Sequence, residues 1–179
     1  MTALCCGGGA RAQTVDHVFI VVIDGLRADE GFSDPEQPLL APLVEDLTPH
    51  GSLLTQFEIR DQTHTLPSHQ SLVTGNYSDF PNFWPDATRT HFAPRTPTLF
   101  EAYRLGTGAA EEACWIVSNT PLAGHDLVSS AMPGYGSTLA ASRLYDPENI
   151  EEDEWVWDQI EGILADHEVG LMLINVSEV

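Results

Sequence analysis

The chain has 179 residues, 42% of them apolar, which is enough for one domain with a sizeable core and argues against global disorder. Its 27 acidic residues face seven basic ones, all Arg, for a formal charge of −20 and a pI near 4.3. That balance excludes nucleic-acid binding by phosphate neutralisation and disfavours an anionic membrane surface; it also repels anionic small substrates unless a metal ion or local dipole reverses the sign at the site.

Residues 1–12 are small and weakly apolar and close on Ala10-Arg11-Ala12, an A-x-A pattern like a signal-peptidase site. They read as the remnant of an export signal, which places the protein in the periplasm or outside the cell; a plain leader on a cytoplasmic protein is the alternative. The domain then occupies residues 13–179. Cys5, Cys6 and Cys114 form neither a disulfide framework nor a zinc-finger spacing. No stretch reaches the roughly 18 apolar residues of a membrane span.

Val18 to Ile23 is a continuous β-branched and aromatic run ending at Asp24-Gly25, the pattern of a strand buried on both faces of a parallel sheet. From Pro38 to Leu47, Leu40, Leu43, Val44 and Leu47 recur at helical spacing, with Gly51 as a stop. Ser52 to Ile59 returns to strand character. Pro67 suits the first turn of a short helix running to about Thr74, with Gly75 beyond it. Ser78 to Pro97, with its prolines and aromatics, reads as a long irregular loop, a kind that is often functional.

Thr96-Pro97 predicts a helix start, with Leu99, Phe100, Ala102 and Tyr103 to follow. Cys114 to Val117 is a second short buried strand. Asp146-Pro147 starts another helix, in which Val156, Ile160, Ile163 and Leu164 share a face, and Val169 to Val176 is a third apolar strand. Strands alternating with helices predict an α/β fold with a mostly parallel central sheet flanked by helices. In such sheets ligands bind just past the carboxyl ends of the strands. The last strand runs straight to Val179, where the next functional loop would begin, so the expectation is a domain that is C-terminally incomplete.

Two segments carry chemistry. Asp24 stands at the carboxyl end of the first strand, where a hard oxygen ligand is well placed for a divalent cation and Gly25 allows a sharp turn; a turn or cap Asp is the plainer alternative. A phospho-accepting Asp of receiver type is disfavoured, because such domains need a Lys and this chain has none. The second segment is Gln62 to Tyr77. Thr65 lies at or just before the helix start, where unpaired N–H groups and the macrodipole favour an anion. A hydroxyl there can attack phosphorus if a metal holds it as an alkoxide; capping by Thr65 or Ser68 is the alternative.

Taken together, Ile-Asp-Gly-Leu-Arg at 23–27 and Thr-Leu-Pro-Ser-His-Gln-Ser-Leu-Val-Thr-Gly at 65–75 resemble the start of the alkaline phosphatase superfamily. The chain looks closest to its type I phosphodiesterase/nucleotide pyrophosphatase and sulfatase-like branches. The specific part of the likeness covers Val18 to Arg27 and Thr63 to Tyr77. It implies that Asp24 is a metal ligand and that Thr65 is the nucleophile, bound to the same metal. It also implies a hydrolase of phosphate mono- or diesters that uses two divalent cations, zinc being the expectation. Backbone N–H groups around Leu66 and Ser68 would hold the phosphoryl oxygens. The implied partner is a small-molecule phosphoester, with neither nucleic acid nor membrane.

Sulfatases carry a Cys or Ser convertible to formylglycine, with an Arg four residues on; here those positions are Thr65 and His69. The phosphodiesterase branch has Thr, then Asn-His after the Pro; here Ser68-His69 follows Pro67. The chain thus leans to phosphoester hydrolysis. Family members carry further Asp and His ligands just after a strand like Leu171 to Val176, and two metals need more donors than Asp24 and Thr65. A catalytically silent domain is therefore the alternative from another class. His125-Asp126, in a Gly-containing loop, reads poorly as a replacement pair.

Remaining features have plainer explanations. Glu151 to Glu154 complements a helix dipole, Trp155 and Trp157 read as packing, and His64 as a loop residue. Phe80, Phe83, Trp84 and Phe92 read as packing under the long loop, with a substrate pocket as the alternative.

Overall fold

Four short segments rich in β-branched and aromatic residues, or lying beside them, build one sheet. In the computed structural model, which describes residues 15–27, 41–54, 65–77, 93–119, 127–145 and 153–176, the strands are β1 (Val18–Ile23), β2 (Cys114–Ser118), β3 (Ser142–Leu144) and β4 (Leu171–Val176). Their order is β1-β4-β2-β3 and every pairing is parallel. The helices are α1 (Ala41–Leu47), α2 (Thr65–Thr74), α3 (Leu99–Thr107) and α4 (Asp153–Asp166). The fold is α/β with a parallel sheet, as the alternation of strand and helix patterns predicts.

Side chains alternate across each strand, so the sheet has two cores. On one face Leu171 and Leu173 of β4, with Cys114 and Ile116 of β2, pack against Val73 of α2 and Phe100 of α3. On the other, Met172, Ile174 and Val176 of β4, with Val117 of β2, meet Val156, Ile160 and Ile163 of α4. Every residue of β4 is buried, which explains a run that is apolar but for Asn175. Each fully buried side chain of this kind contributes about 1.5–3 kcal/mol.

β1 differs from the expectation of burial on both faces. Ile20 and Val22 pack on the α2/α3 side, but Phe19 is 45% exposed and Val21 49%. The reason is position: β1 is an edge strand of the described sheet, and α4 lies against β2 and β4 rather than over it.

Helix starts were less legible than strands. α3 begins after Thr98, not at Thr96-Pro97. The Thr98 side chain accepts from the Glu101 N–H at 3.2 Å, and Glu101 returns a bond from the Thr98 N–H at 2.7 Å. This reciprocal capping box outcompetes a Thr-Pro start two residues earlier because it satisfies two otherwise orphaned donors. At the other end Gly108, with φ of 72°, donates its N–H to the Arg104 carbonyl. Ser52 to Leu54, expected to open a strand, has no regular structure, and the rest of that stretch lies outside the described residues. So do the Asp146-Pro147 helix start, His64, His125-Asp126 and the aromatics from Phe80 to Phe92. No helix among the described residues is long and apolar enough to cross a membrane.

Candidate functional site at the carboxyl end of the sheet

The chain turns sharply at the end of β1. The Asp24 N–H donates to the Val176 carbonyl at 2.9 Å, which ties the turn to the end of β4. Gly25 follows with φ of 78°, a left-handed conformation that a side chain would strain. Asp24 is exposed, and its carboxylate accepts no hydrogen bond among the described residues.

α2 opens on Thr65, at the expected helix start, and Pro67 is buried inside its first turn. A proline is tolerated there because first-turn N–H groups have no intrahelical acceptor. The Thr65 hydroxyl makes no hydrogen bond among the described residues, so the capping role left open for it is not taken up there. Thr65, Leu66 and Ser68 are all half-buried at this helix start.

His69 joins α2 to the sheet. Its Nδ1 lies 2.7 Å from the Thr65 carbonyl oxygen, and its Nε2 lies 2.9 Å from Oδ1 of Asn175 in β4. A carbonyl only accepts, so Nδ1 carries a proton. The Asn175 amide donates in turn to the Ser118 hydroxyl of β2 at 3.4 Å. His69, Asn175 and Ser118 are all buried. Ser118 and Val22 are the register partners of Asn175, so the three residues form one row across β2, β4 and β1, two residues short of Asp24. On the opposite face Asn119, fully buried, donates to Asp153 at the start of α4 at 2.7 Å.

Thr65 is thus tied to the carboxyl end of β4 through His69 and Asn175, and Asp24 to the same strand through the Val176 carbonyl. Sequence reading singled out Asp24, Thr65, Leu66 and Ser68, but it did not assign a role to Asn175, Ser118 or Asn119. Their signal was present: each is a polar residue at the end of an apolar strand, where burial demands a partner. Among the described residues no three His, Cys, Asp or Glu side chains gather as a metal cage. Asp24 and Thr65 can therefore supply only part of the four or more donors that a divalent ion takes.

A cleft of about 720 Å³ lies at the opposite, amino-terminal end of the strands, lined by Asp16, His17, Glu112, Asp166, His167 and Glu168 among others. His17 is committed to the Val169 carbonyl at 2.6 Å, and the His167 ring lies 5.3 Å from that of Trp115. Four carboxylates make this cleft a poor host for an anionic ester.

No family model, curated protein or solved structure matches the chain. The functional reading therefore rests on its own residues.

Proposed function

We propose that the chain belongs with the alkaline phosphatase superfamily and hydrolyses phosphate mono- or diesters, with Thr65 as the nucleophile. One observation carries most of the weight in its favour: a half-buried threonine opens α2 with its hydroxyl uncommitted among the described residues, and a buried histidine docks that turn at the carboxyl end of a parallel sheet. Ligands bind at that end of open α/β sheets. Asp24, exposed and held by its backbone N–H to the Val176 carbonyl, adds an anionic oxygen suited to a cation.

In this reading the Thr65 oxygen attacks phosphorus, the new P–O bond forms as the bond to the leaving oxygen breaks, and the leaving alcohol carries away a proton. Water then cleaves the phospho-threonine, releasing phosphate or a monoester and restoring the hydroxyl. Backbone N–H groups in the first turn of α2, around Leu66 and Ser68, would hold phosphoryl oxygens; Pro67 has no N–H to offer. Two divalent cations, zinc by expectation, would supply Lewis acidity when bound, and Asp24 and Thr65 would be among their ligands. The described donors complete neither coordination sphere.

The test is turnover of p-nitrophenyl phosphate and bis(p-nitrophenyl) phosphate by the chain with zinc, with mass spectrometry of acid-quenched protein. The expected results are zinc-dependent release of p-nitrophenol, a phosphorylated peptide containing Thr65, and loss of both in Thr65→Ala. p-Nitrophenyl sulfate should remain intact. Normal turnover by Thr65→Ala, or no zinc-dependent turnover by the parent, would overturn the reading.

A further inference from the structure

A histidine packed at a helix start usually has one of two tasks: to react, or to hold something that does. His69 is buried, and both of its ring nitrogens are engaged, one by the Thr65 carbonyl at 2.7 Å and the other by Asn175 at 2.9 Å. That leaves neither nitrogen to exchange a proton with a substrate. The partners also differ in kind: Thr65 O belongs to the backbone of the first turn of α2, whereas Asn175 belongs to β4, an inner strand of the sheet, 106 residues from His69. The same Thr65 carbonyl is the i−4 acceptor of His69 along α2, and its second lone pair takes the ring N–H.

We propose that His69 is a positioning residue, a buried strut that fixes the first turn of α2, and with it the Thr65 hydroxyl, to the carboxyl end of β4. The proposal rests on the functional reading above for its catalytic consequence, but the strut itself does not. Asn175 can serve the ring in either amide orientation. Its carbonyl suits a doubly protonated ring, and its NH2 suits a neutral one. The Ser118 hydroxyl, which both donates and accepts, adapts at the far end. The connection from helix to strand to neighbouring strand therefore holds whichever form the ring adopts.

Helix first turns fray because their N–H groups lack intrahelical partners. α2 begins in such a turn, with Thr65 at its first position. A nucleophile placed there needs an external anchor, since displacement by about 1 Å can cost two orders of magnitude in rate. His69 provides that anchor by gripping a carbonyl in the turn itself.

Two measurements on the full chain test this. The first is NMR. His69 is expected to show a protonated, slowly exchanging Nδ1. Backbone order parameters at Thr65 and Leu66 should be near about 0.85 in the parent and fall below about 0.6 in His69→Ala. Unchanged order at Thr65 and Leu66 in folded His69→Ala would overturn the strut, whether or not the chain proves to be a hydrolase. The second is steady-state kinetics with zinc and bis(p-nitrophenyl) phosphate. His69→Ala and Asn175→Ala should lose roughly 10- to 100-fold in kcat with KM little changed. His69→Asn, which keeps an amide donor near the Thr65 carbonyl, should recover part of the loss. Ile163→Ala, a core variant on the α4 face, is the control for a simple drop in stability. Parent-like kcat in His69→Ala, or an equal loss in Ile163→Ala at matched Tm, would overturn the catalytic consequence. A parent that binds and turns over no ester would instead sink the functional reading, and the NMR result alone would then decide the strut.

Discussion

Cys114, at the start of β2, is fully enclosed in the core between the sheet and α3. Burial pushes its thiol up to about 11 from the ordinary 9.0, against a smaller opposing pull from the Arg104 guanidinium. The fold thus favours the neutral thiol, while the unfolded chain ionises first as pH rises. Between these two values the native state binds more protons, so stability falls with pH. The contribution is fully present below about pH 9 and is lost as pH climbs through about 11. Urea unfolding from pH 8 to pH 10.5 should show a steeper loss of stability in the parent than in Cys114→Ala. Parallel curves would mean that the thiol does not titrate differently in the fold.

Residues differ in how far ahead the sequence announces them. Asp24 and Thr65 were readable because their placement is local: one follows an apolar run, the other precedes a proline in a helix start. The bond from His69 to Asn175 spans 106 residues and that from Asn175 to Ser118 spans 57, and no periodicity within a short window carries such information. What the sequence could have offered is weaker. A single Asn inside Leu-Met-Leu-Ile-Asn-Val, on a strand expected to be buried, needs a partner, though nothing local names it.

At the scale of elements, α3 shows one carboxylate organising two segments. Glu101 is fully buried and takes the Thr98 N–H on one oxygen. On the other it accepts from the Ser130 N–H at 2.8 Å, the Ser130 hydroxyl at 3.1 Å and the Gly136 N–H at 2.7 Å. A capping residue thereby also pins the segment between β2 and β3, where Gly134 and Gly136 adopt φ of 87° and 83°. Glu101→Gln puts an NH2 where an acceptor is required, so at least one buried donor loses its partner. The expected loss is about 1–3 kcal/mol, read as a lower urea midpoint with unchanged slope. An unchanged midpoint would mean that the segment relaxes onto other acceptors at no cost.

The same element explains a local misreading. Thr96-Pro97 and Thr98-Leu-Phe-Glu101 both carry start signals, and the box won because its Glu has additional donors to satisfy in the Ser130–Gly136 segment. β3, only Ser142-Arg-Leu144, was not anticipated, since three residues with a charge at the centre show no strand period. Its pairing with β2 supplies the order that its composition lacks. The overall α/β plan was legible because it depends on longer patterns. Val18–Ile23, Cys114–Ser118 and Leu171–Val176 are apolar enough to be strands wherever they fall, and Val156, Ile160 and Ile163 of the α4 stripe pack where helical spacing puts them, while Leu164, expected on the same face, is exposed.

For the whole molecule the governing quantity is the charge of −20. Seven Arg cannot neutralise 27 carboxylates, and several of those carboxylates converge at the amino-terminal cleft around Asp16, Glu112, Asp166 and Glu168. Self-repulsion of this kind destabilises the compact state and is screened by salt. Raising NaCl from 10 mM to 1 M shortens the Debye length from about 30 Å to about 3 Å, so Tm should rise with salt. The form of the rise identifies its cause. Screening acts mostly at low concentration, where the Debye length changes fastest, so most of the gain should be complete by about 0.2 M. Strengthened burial through ion exclusion would instead keep growing toward molar salt. A differential scanning series across NaCl concentrations separates the two. A flat response would show that the carboxylates lie far enough apart, or are sufficiently hydrated, not to oppose folding. The same series bears on the proposed site. An anionic ester approaching the carboxyl end of the sheet crosses this field, so its KM should fall as salt rises through the interval in which Tm climbs. If Tm climbs and KM stays fixed, the repulsion is confined to the amino-terminal end, and the field at the carboxyl end has been reversed locally, as a bound cation or the amino-terminal end of α2 would do.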